Sequence, residues 1–429
     1  MNDSFIAVTS AADTSTATPA SAALPHWQLE SIYPSLESEA WTKANSELDR
    51  LMDAFKAYCD TLPPDSTKAA DSVTTFETGF RQWLELRMLS GKMMGYLSLT
   101  LATDAFNDAA QAERSRLGTL FSSFSVHHKA FMRWLGKQDV DYLSEHSALA
   151  LDHYYMLHEV VVYAEHMMDV SAEGLESALA PTAAVSWMKL YNDIISKQTV
   201  VASIDSDPRE YALSELINFS SHTDAKVRKR AYDTEMALFS KHDIAIGACL
   251  NSIKGHVNTL TARRGWQPDG WGSEADSALA EALFDNAITK KSLDAMQQAC
   301  QAAFPMFRRY LKAKAKLLGK STLDWYDINA PIASAPPHYS WQDAQDFVTK
   351  HFASYSDDLA QFAQKVFDNH WIDVPPRQGK TSGAFCSRVM SERASRILLN
   401  FGGTLDDLFT LAHELGHGYH NDCMYRFER

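Results

Sequence analysis

From Trp27 onward, apolar residues recur at three- and four-residue spacing, in a chain with only 18 Gly and 14 Pro among 429 residues. Such spacing lays one apolar stripe along a helix of 3.6 residues per turn, so the pattern predicts a mainly α, multi-helix fold. Leu213, Leu216 and Ile217, broken off at 218–223, form one such segment, and Tyr355, Leu359, Phe362 and Val366 form another. Repeated helices with short polar joints are expected from Glu37 to about Val170. Pro181 and the polar stretch from Ser203 to Arg209 suggest a change of domain near residue 200. The expected organisation is a helical domain at 25–200 and a second unit at 201–429. Residues 1–24 are rich in Ala, Ser and Thr and lack the basic start and apolar core of a secretory signal. They read as a disordered leader, because so little apolar surface cannot offset the entropy of ordering. The segment from Arg264 to Gly272 is a loop by composition.

Charge and cysteine content exclude several classes. Forty Lys and Arg against 54 Asp and Glu give a net charge of −14, without the basic footprint of a nucleic-acid binder. No stretch approaches the run of about 18 apolar residues that a membrane span needs. Cys59, Cys249, Cys300, Cys386 and Cys423 are scattered and contain no CxxC pair. That argues against a disulfide framework or zinc ribbon and favours the cytoplasm. Oligomeric state leaves no trace in these residues.

Two places depart from the helical pattern. Leu323 to Ile332 is aromatic, and Pro331 with Pro336 and Pro337 argues against a long helix there. Ser395 to Phe401 is a strand candidate followed by Gly402 and Gly403. A small β element is thus expected before a helix that starts near Thr404, with Thr404 as N-cap and Asp406 and Asp407 in the first turn. Inside that helix, residues 413–417 read His-Glu-Leu-Gly-His, an HExxH motif. Two His four residues apart project from one helix face and can share a zinc ion, while Glu414 beside them can act as general base on a water. Chance produces about 0.03 such matches in a chain of this composition. The competing reading, a surface helix with two partnered His, is disfavoured by the strand, turn and cap that precede the motif.

The wording from Phe401 to His417 resembles the zinc helix of the oligoendopeptidase F branch of M3 (thimet-oligopeptidase-like) metallopeptidases. Trp27–Pro34, Leu323–Ile332, Ser382–Cys386 and Ile397–Phe401 fit the same family in the same order. The resemblance implies zinc on His413 and His417, Glu414 as catalytic base, and a deep channel that admits short peptides and excludes folded proteins. It further implies that Gly383, Ala384, Leu398, Leu399 and Asn400 line the substrate cleft through their main chain, where an edge strand would pair with an extended peptide.

In that family the third zinc ligand is a Glu some two dozen residues beyond the second His, whereas the sequence in hand stops at Arg429. Twelve further residues only lengthen the same helix, by ~18 Å. His420 is about 60° off the ligand face, and Cys423 and Glu428 lie farther along the rod. The sequence is therefore expected to represent the first two-thirds or so of a longer enzyme, binding zinc weakly and hydrolysing peptides poorly by itself. An inactive peptide-binding helical protein and a plain helical scaffold are the alternatives.

Other residues take plainer readings. His127, His128, His153, His158 and His166 have spacings that suit helix packing better than a second metal site. Cys386 reads as a small buried residue and Trp325 and Tyr326 as core aromatics. Arg263–Arg264 and Lys226–Arg230 read as solvated helix faces.

Overall fold

The computed structural model describes residues 24–63, 69–205, 207–266, 277–332 and 337–427, and they form a mainly α fold. The leader reading therefore falls, except for Leu24, outside the described residues. Helix α1 (Glu39–Cys59) starts where the Ser38 hydroxyl accepts from the Trp41 N–H, and it buries Trp41, Leu48 and Phe55. Helices α2 (Ala69–Thr103) and α3 (Asp108–Leu135) pack against it. Shorter helices follow: α4 (Val140–His146), α5 (Ala148–Asp152), α6 (Tyr154–Glu165), α7 (Val170–Leu179) and α8 (Ala184–Lys197). Then comes an antiparallel hairpin, β1 (Thr199–Ala202) and β2 (Arg209–Ala212), whose turn is the polar stretch read as a domain change. Four residues per strand are too few for period-two alternation to stand out from the helical background.

The chain continues through α9 (Leu213–Asn218), α10 (Ala225–Arg263), α11 (Ser277–Asp285), α12 (Lys290–Leu317), α13 (Trp341–Ala353) and α14 (Asp357–Asp368). A three-stranded sheet and one last helix complete it: β3 (Ile372–Asp373), β4 (Phe385–Val389), β5 (Ala394–Leu398) and α15 (Leu405–Tyr425). The strand expected at Ser395–Phe401 is β5, which stops at Leu398. Leu399 and Phe401 nevertheless donate their N–H groups to the carbonyls of Asp373 and Val374, so the chain stays extended up to the glycine turn.

One apolar core joins α13 and α14 to the sheet and α15, with Phe362, Val366, Ile397, Leu411 and Leu415 at its centre. A second fills the space between α1, α2 and α3 and takes in Trp27, Ile32 and Tyr33. The Trp27–Pro34 stretch thus acts as a wedge. Gln28 N–H donates to His370 O, and Arg396 donates to Gln28 O at 2.9 Å and to the Ser31 hydroxyl at 2.9 Å. Leu411 is fully buried, so Leu411→Ala is expected to lower unfolding free energy by about 2–5 kcal/mol in a denaturant titration.

In each of the two basic runs read as solvated, one member is withdrawn from solvent and paired, Arg228 and Arg264, while Lys226, Lys229, Arg230 and Arg263 are exposed. Arg228 pairs with Asp327 at 2.6 Å and also donates to the carbonyls of His222 and Thr223. Lys320 reaches the other Asp327 oxygen. This pins the aromatic stretch to α10 as a short 3₁₀ turn, Trp325–Asp327, and leaves Trp325 largely exposed instead of in the core. Arg264 and Lys129 both pair with Glu173, at 3.1 and 2.6 Å, joining α10, α3 and α7. A run of basic letters does not reveal a partner a hundred residues away.

Burial raises the Glu173 pKa, but the hydrogen bonds from Arg264 and Lys129 more than offset it, and the net shift is downward from 4.5. A carboxyl with a depressed folded pKa contributes stability that is full above its ordinary value and is lost as pH falls through the folded one. Stability is therefore expected to decline on acidification below about pH 4.5, and the Glu173→Gln variant to decline less steeply over that window. Among the described residues no helix is long and apolar enough to cross a membrane.

Candidate metal and peptide site

The approach to α15 is set by its cap. Thr404 Oγ1 accepts from the Asp407 N–H at 3.2 Å, while Asp407 Oδ2 accepts from the N–H groups of Thr404 and Gly402 at 2.8 and 3.1 Å. That reciprocal box satisfies orphan donors at the helix start, in agreement with the cap read from the sequence. Gly403 has φ +80°, and a Cβ there would come within 2.6 Å of the His338 ring and 2.8 Å of Tyr339 O. Gly403→Ala is expected to destabilise the fold by about 1–3 kcal/mol from backbone strain alone, with the clash adding to it; thermal unfolding checks this.

Along α15, His413 and His417 stand on the exposed face, in line with Leu405, Phe409 and His420. Their Nε2 atoms are 3.1 Å apart, with the rings nearly perpendicular at 86°. Two nitrogens bound at 2.0–2.1 Å to a tetrahedral zinc would be about 3.3 Å apart. The pair therefore fits two of the four positions of such an ion. Among the described residues no group of three His, Cys, Asp or Glu side chains is placed to hold a metal.

Glu414 lies on the flank of α15 next to the two His and is 6% exposed. Burial raises its pKa, and the neighbouring charges of His413 and His417 act against that rise. Burial likewise pushes the Cys386 thiol up to about 11, with the Glu414 charge adding to the effect. A thiol so firmly protonated is no nucleophile at neutral pH, although Cys386, read as a buried residue, is only half-buried. At Gly418 an added Cβ would lie 2.9 Å from the Phe362 ring and 3.8 Å from Cys386 Sγ, so the glycine lets α14 and β4 close on the motif helix. Asn421, one turn beyond His417, donates to Ser395 Oγ at 3.1 Å and ties α15 to β5. Sequence reasoning passed over Asn421, although the four-residue step from 413 through 417 leads directly to it.

The open edge of the sheet lies elsewhere than expected. Strand order is β3-β5-β4, so β5 is the middle strand: Leu398 faces Phe385 on one side and Asp373 on the other. Leu398 and Leu399 are buried, and their main chain is committed within the sheet, which corrects the expectation that this segment is an edge. Among the described residues the outer edge of β4 carries no pairing strand. Gly383 and Ala384 lead directly into that strand. Asn400 acts on them from behind, its Nδ2 donating to Thr381 O at 3.0 Å and Gly383 O at 2.8 Å.

The loop before β4 is anchored by an ion cluster that no local pattern of residues announces. Lys380, with a fully buried side chain, pairs with Asp373 at 2.6 Å and donates to Pro375 O at 2.8 Å. Arg377 and His26 reach the same carboxylate at 2.7 and 3.1 Å. Burial lowers the Lys380 pKa to about 8, against the attraction of Asp373.

The pattern of "Peptidase family M3" matches residues 219–423, a stretch that includes the motif helix almost entire. Over 402 residues the chain is 22% identical to oligopeptidase PepF of Bacillus subtilis, covering 92% of this chain and 57% of that protein. An oligoendopeptidase F homolog of Lactococcus lactis is 24% identical over 411 residues, covering 92% and 64%. The chain is thus similar to peptidase family M3 over residues 219–423 and to oligoendopeptidase F relatives over most of its length.

Solved structures agree in fold. The chain superposes on PZ peptidase A with a TM-score of 0.64 at 14% identity, over 88% of this chain and 62% of that one. For oligoendopeptidase-F from Enterococcus faecium the TM-score is 0.55 at 15% identity, over 76% and 66%. The chain spans less than two-thirds of the length of the Bacillus subtilis and Lactococcus lactis relatives.

Proposed function

We propose that this chain carries the metal-binding and proton-transfer residues of a zinc-dependent endopeptidase acting on oligopeptides. The observation that supports this most is the His413–His417 pair, 3.1 Å apart, with Glu414 adjacent on the helix. A bound zinc ion supplies Lewis acidity, polarising a scissile carbonyl and lowering the pKa of water. His413 and His417 would hold the ion through Nε2. Glu414 takes the proton of the attacking water on a carboxylate oxygen and returns it to the leaving amine nitrogen. Its low exposure limits competing water and keeps it a better base than a solvated carboxylate. Substrate lies extended along the outer edge of β4, trading main-chain hydrogen bonds that tolerate varied side chains. Gly383 and Ala384 begin that edge, and Asn400 holds their loop in place.

A catalytic zinc normally takes three protein ligands, and the described residues offer two. The 429-residue chain is accordingly proposed to bind zinc weakly and to turn over peptides slowly. The test is zinc-dependent cleavage of an internally quenched nonapeptide: slow, chelator-sensitive cleavage supports the reading, and cleavage indifferent to chelator contradicts it. The two-donor set also favours a second reading, a helical protein that binds peptides without cleaving them. Saturable peptide binding with no cleavage at any zinc concentration would select it.

The division near residue 200 is retained as a proposal, with limited proteolysis between β1 and β2 as its check. A cytoplasmic location is proposed as well, on the ground that the five cysteines are free thiols.

A further inference from the structure

Strand β4 runs past the motif helix with its side chains alternating between two faces. Phe385 and Val389 pack into the core between α1, α2 and α3. On the other face, Cys386 Sγ lies 3.8 Å from Asn421 Nδ2 of α15. Arg388, two residues beyond Cys386, shares the face toward α15, and its Nη1 approaches Met424 Sδ at 4.0 Å. At about 100° per residue, Met424 falls within about 40° of both His413 and His417 on the helical projection. Arg388 thus reaches the flank of α15 that carries the two imidazoles, ~10 Å beyond His417 along the axis.

Two observations bear on what Arg388 does there. It is exposed, on a strand whose outer edge carries no partner among the described residues. Among those residues no carboxylate pairs with it, and the carboxylates of its surroundings are committed elsewhere. Asp422 pairs with Lys365 and Arg426 at 3.2 and 3.3 Å, and Glu392 pairs with Arg396 at 3.3 Å. A planar guanidinium with free N–H groups is shaped to grip a carboxylate by two parallel hydrogen bonds. The net charge of −14 does not cancel this local attraction, because exposed charges more than about 8 Å apart are largely screened at physiological ionic strength.

We propose that Arg388 is a specificity-determining residue of the peptide site and selects an acidic side chain of the bound peptide. The proposal rests on the reading that substrate lies along the outer edge of β4 and is cut beside His413 and His417. The stretch from the middle of the His pair to Met424 is ~13 Å, and an extended peptide advances about 3.3 Å per residue. The favoured substrate class is therefore an oligopeptide with Asp or Glu about three or four residues from the scissile bond.

The test uses three thirteen-residue peptides with Glu, Gln or Lys at the central position and an uncharged fluorophore. All are acetylated and amidated, so that no terminal charge competes for Arg388. Anisotropy titration of the full chain without metal is expected to show the Glu peptide bound about three- to tenfold more tightly than the Gln peptide, with the Lys peptide weakest. Arg388→Glu is expected to reverse that order, which a loss of folding cannot do. With zinc added, mass spectrometry of the products should place the cut about three or four residues from the Glu. Equal affinity for the three peptides, binding of none, or an order that Arg388→Glu leaves unchanged overturns the proposal. Equal affinity together with zinc-dependent cleavage would leave the peptidase reading standing. A Glu preference that Arg388→Glu reverses, without cleavage at any zinc concentration, upholds the role of Arg388 and removes the peptidase reading instead.

Discussion

Glu414→Gln is expected to cut zinc-dependent peptide cleavage by about 10²–10⁴-fold, the usual contribution of a positioned general base, while leaving metal uptake nearly unchanged. The separation follows from geometry. His413 and His417 project from the exposed face of α15, whereas Glu414 sits on the buried flank beside them, close enough for its charge to interact with both imidazoles and with the Cys386 thiol. An amide fills the same space as the carboxylate and can still orient a water, but it cannot accept the water's proton. Parallel measurement of zinc affinity and of cleavage of the quenched nonapeptide decides the matter. A variant that loses both together would place Glu414 in the fold or in the metal shell instead of in proton transfer.

The second large effect is on stability. Asp373→Ala is expected to lower unfolding free energy by about 3–5 kcal/mol, because it strands a buried ammonium. Lys380 has a fully buried side chain and would keep only backbone acceptors, the carbonyls of Asp373 and Pro375 at 3.2 and 2.8 Å. The sign of the pH dependence follows from Lys380. Its pKa in the fold is about 8, below the ordinary 10.5, so the unfolded chain binds more protons between those values. Stability from this group therefore rises with pH from about 8 upward, and the deficit of the variant should shrink on alkalinisation. Removing both partners, Asp373→Ala with Lys380→Met, should restore much of the loss, since no buried charge is then left alone. Urea titrations at pH 7 and pH 9.5 of the single and double variants provide the comparison.

Local signals were the legible ones. The helical repeat, the Thr404 cap, the strand before the glycine turn and the HExxH face all depend on residues within a few positions of one another, and the structure places each of them near its expected bounds. Strand order was not legible. Ser395–Phe401 reads as a strand, but nothing in those seven letters says that Phe385–Val389 and Ile372–Asp373 flank it, so its place in the middle of the sheet had to come from the coordinates. The buried cations were hidden for the same reason. Arg228 and Asp327 are 99 residues apart, and a basic run looks identical whether it faces water or a carboxylate from a distant loop. The hairpin at residues 199–212 escaped because its strands are too short to show a period.

The claim at the centre of this account is that His413 and His417 hold a zinc ion together. Cobalt substitution tests it most directly, since cobalt in a nitrogen-ligated tetrahedral site gives visible ligand-field bands that are absent in water. The 429-residue chain titrated with cobalt should develop those bands along a saturable curve that needs an excess of metal, as a two-ligand site requires, and competing zinc should remove them. His413→Ala and His417→Ala should each weaken uptake by about 10²-fold or more, beyond the 10–100-fold typical of losing an outer-shell partner. Bands of equal strength in either single variant would contradict the account.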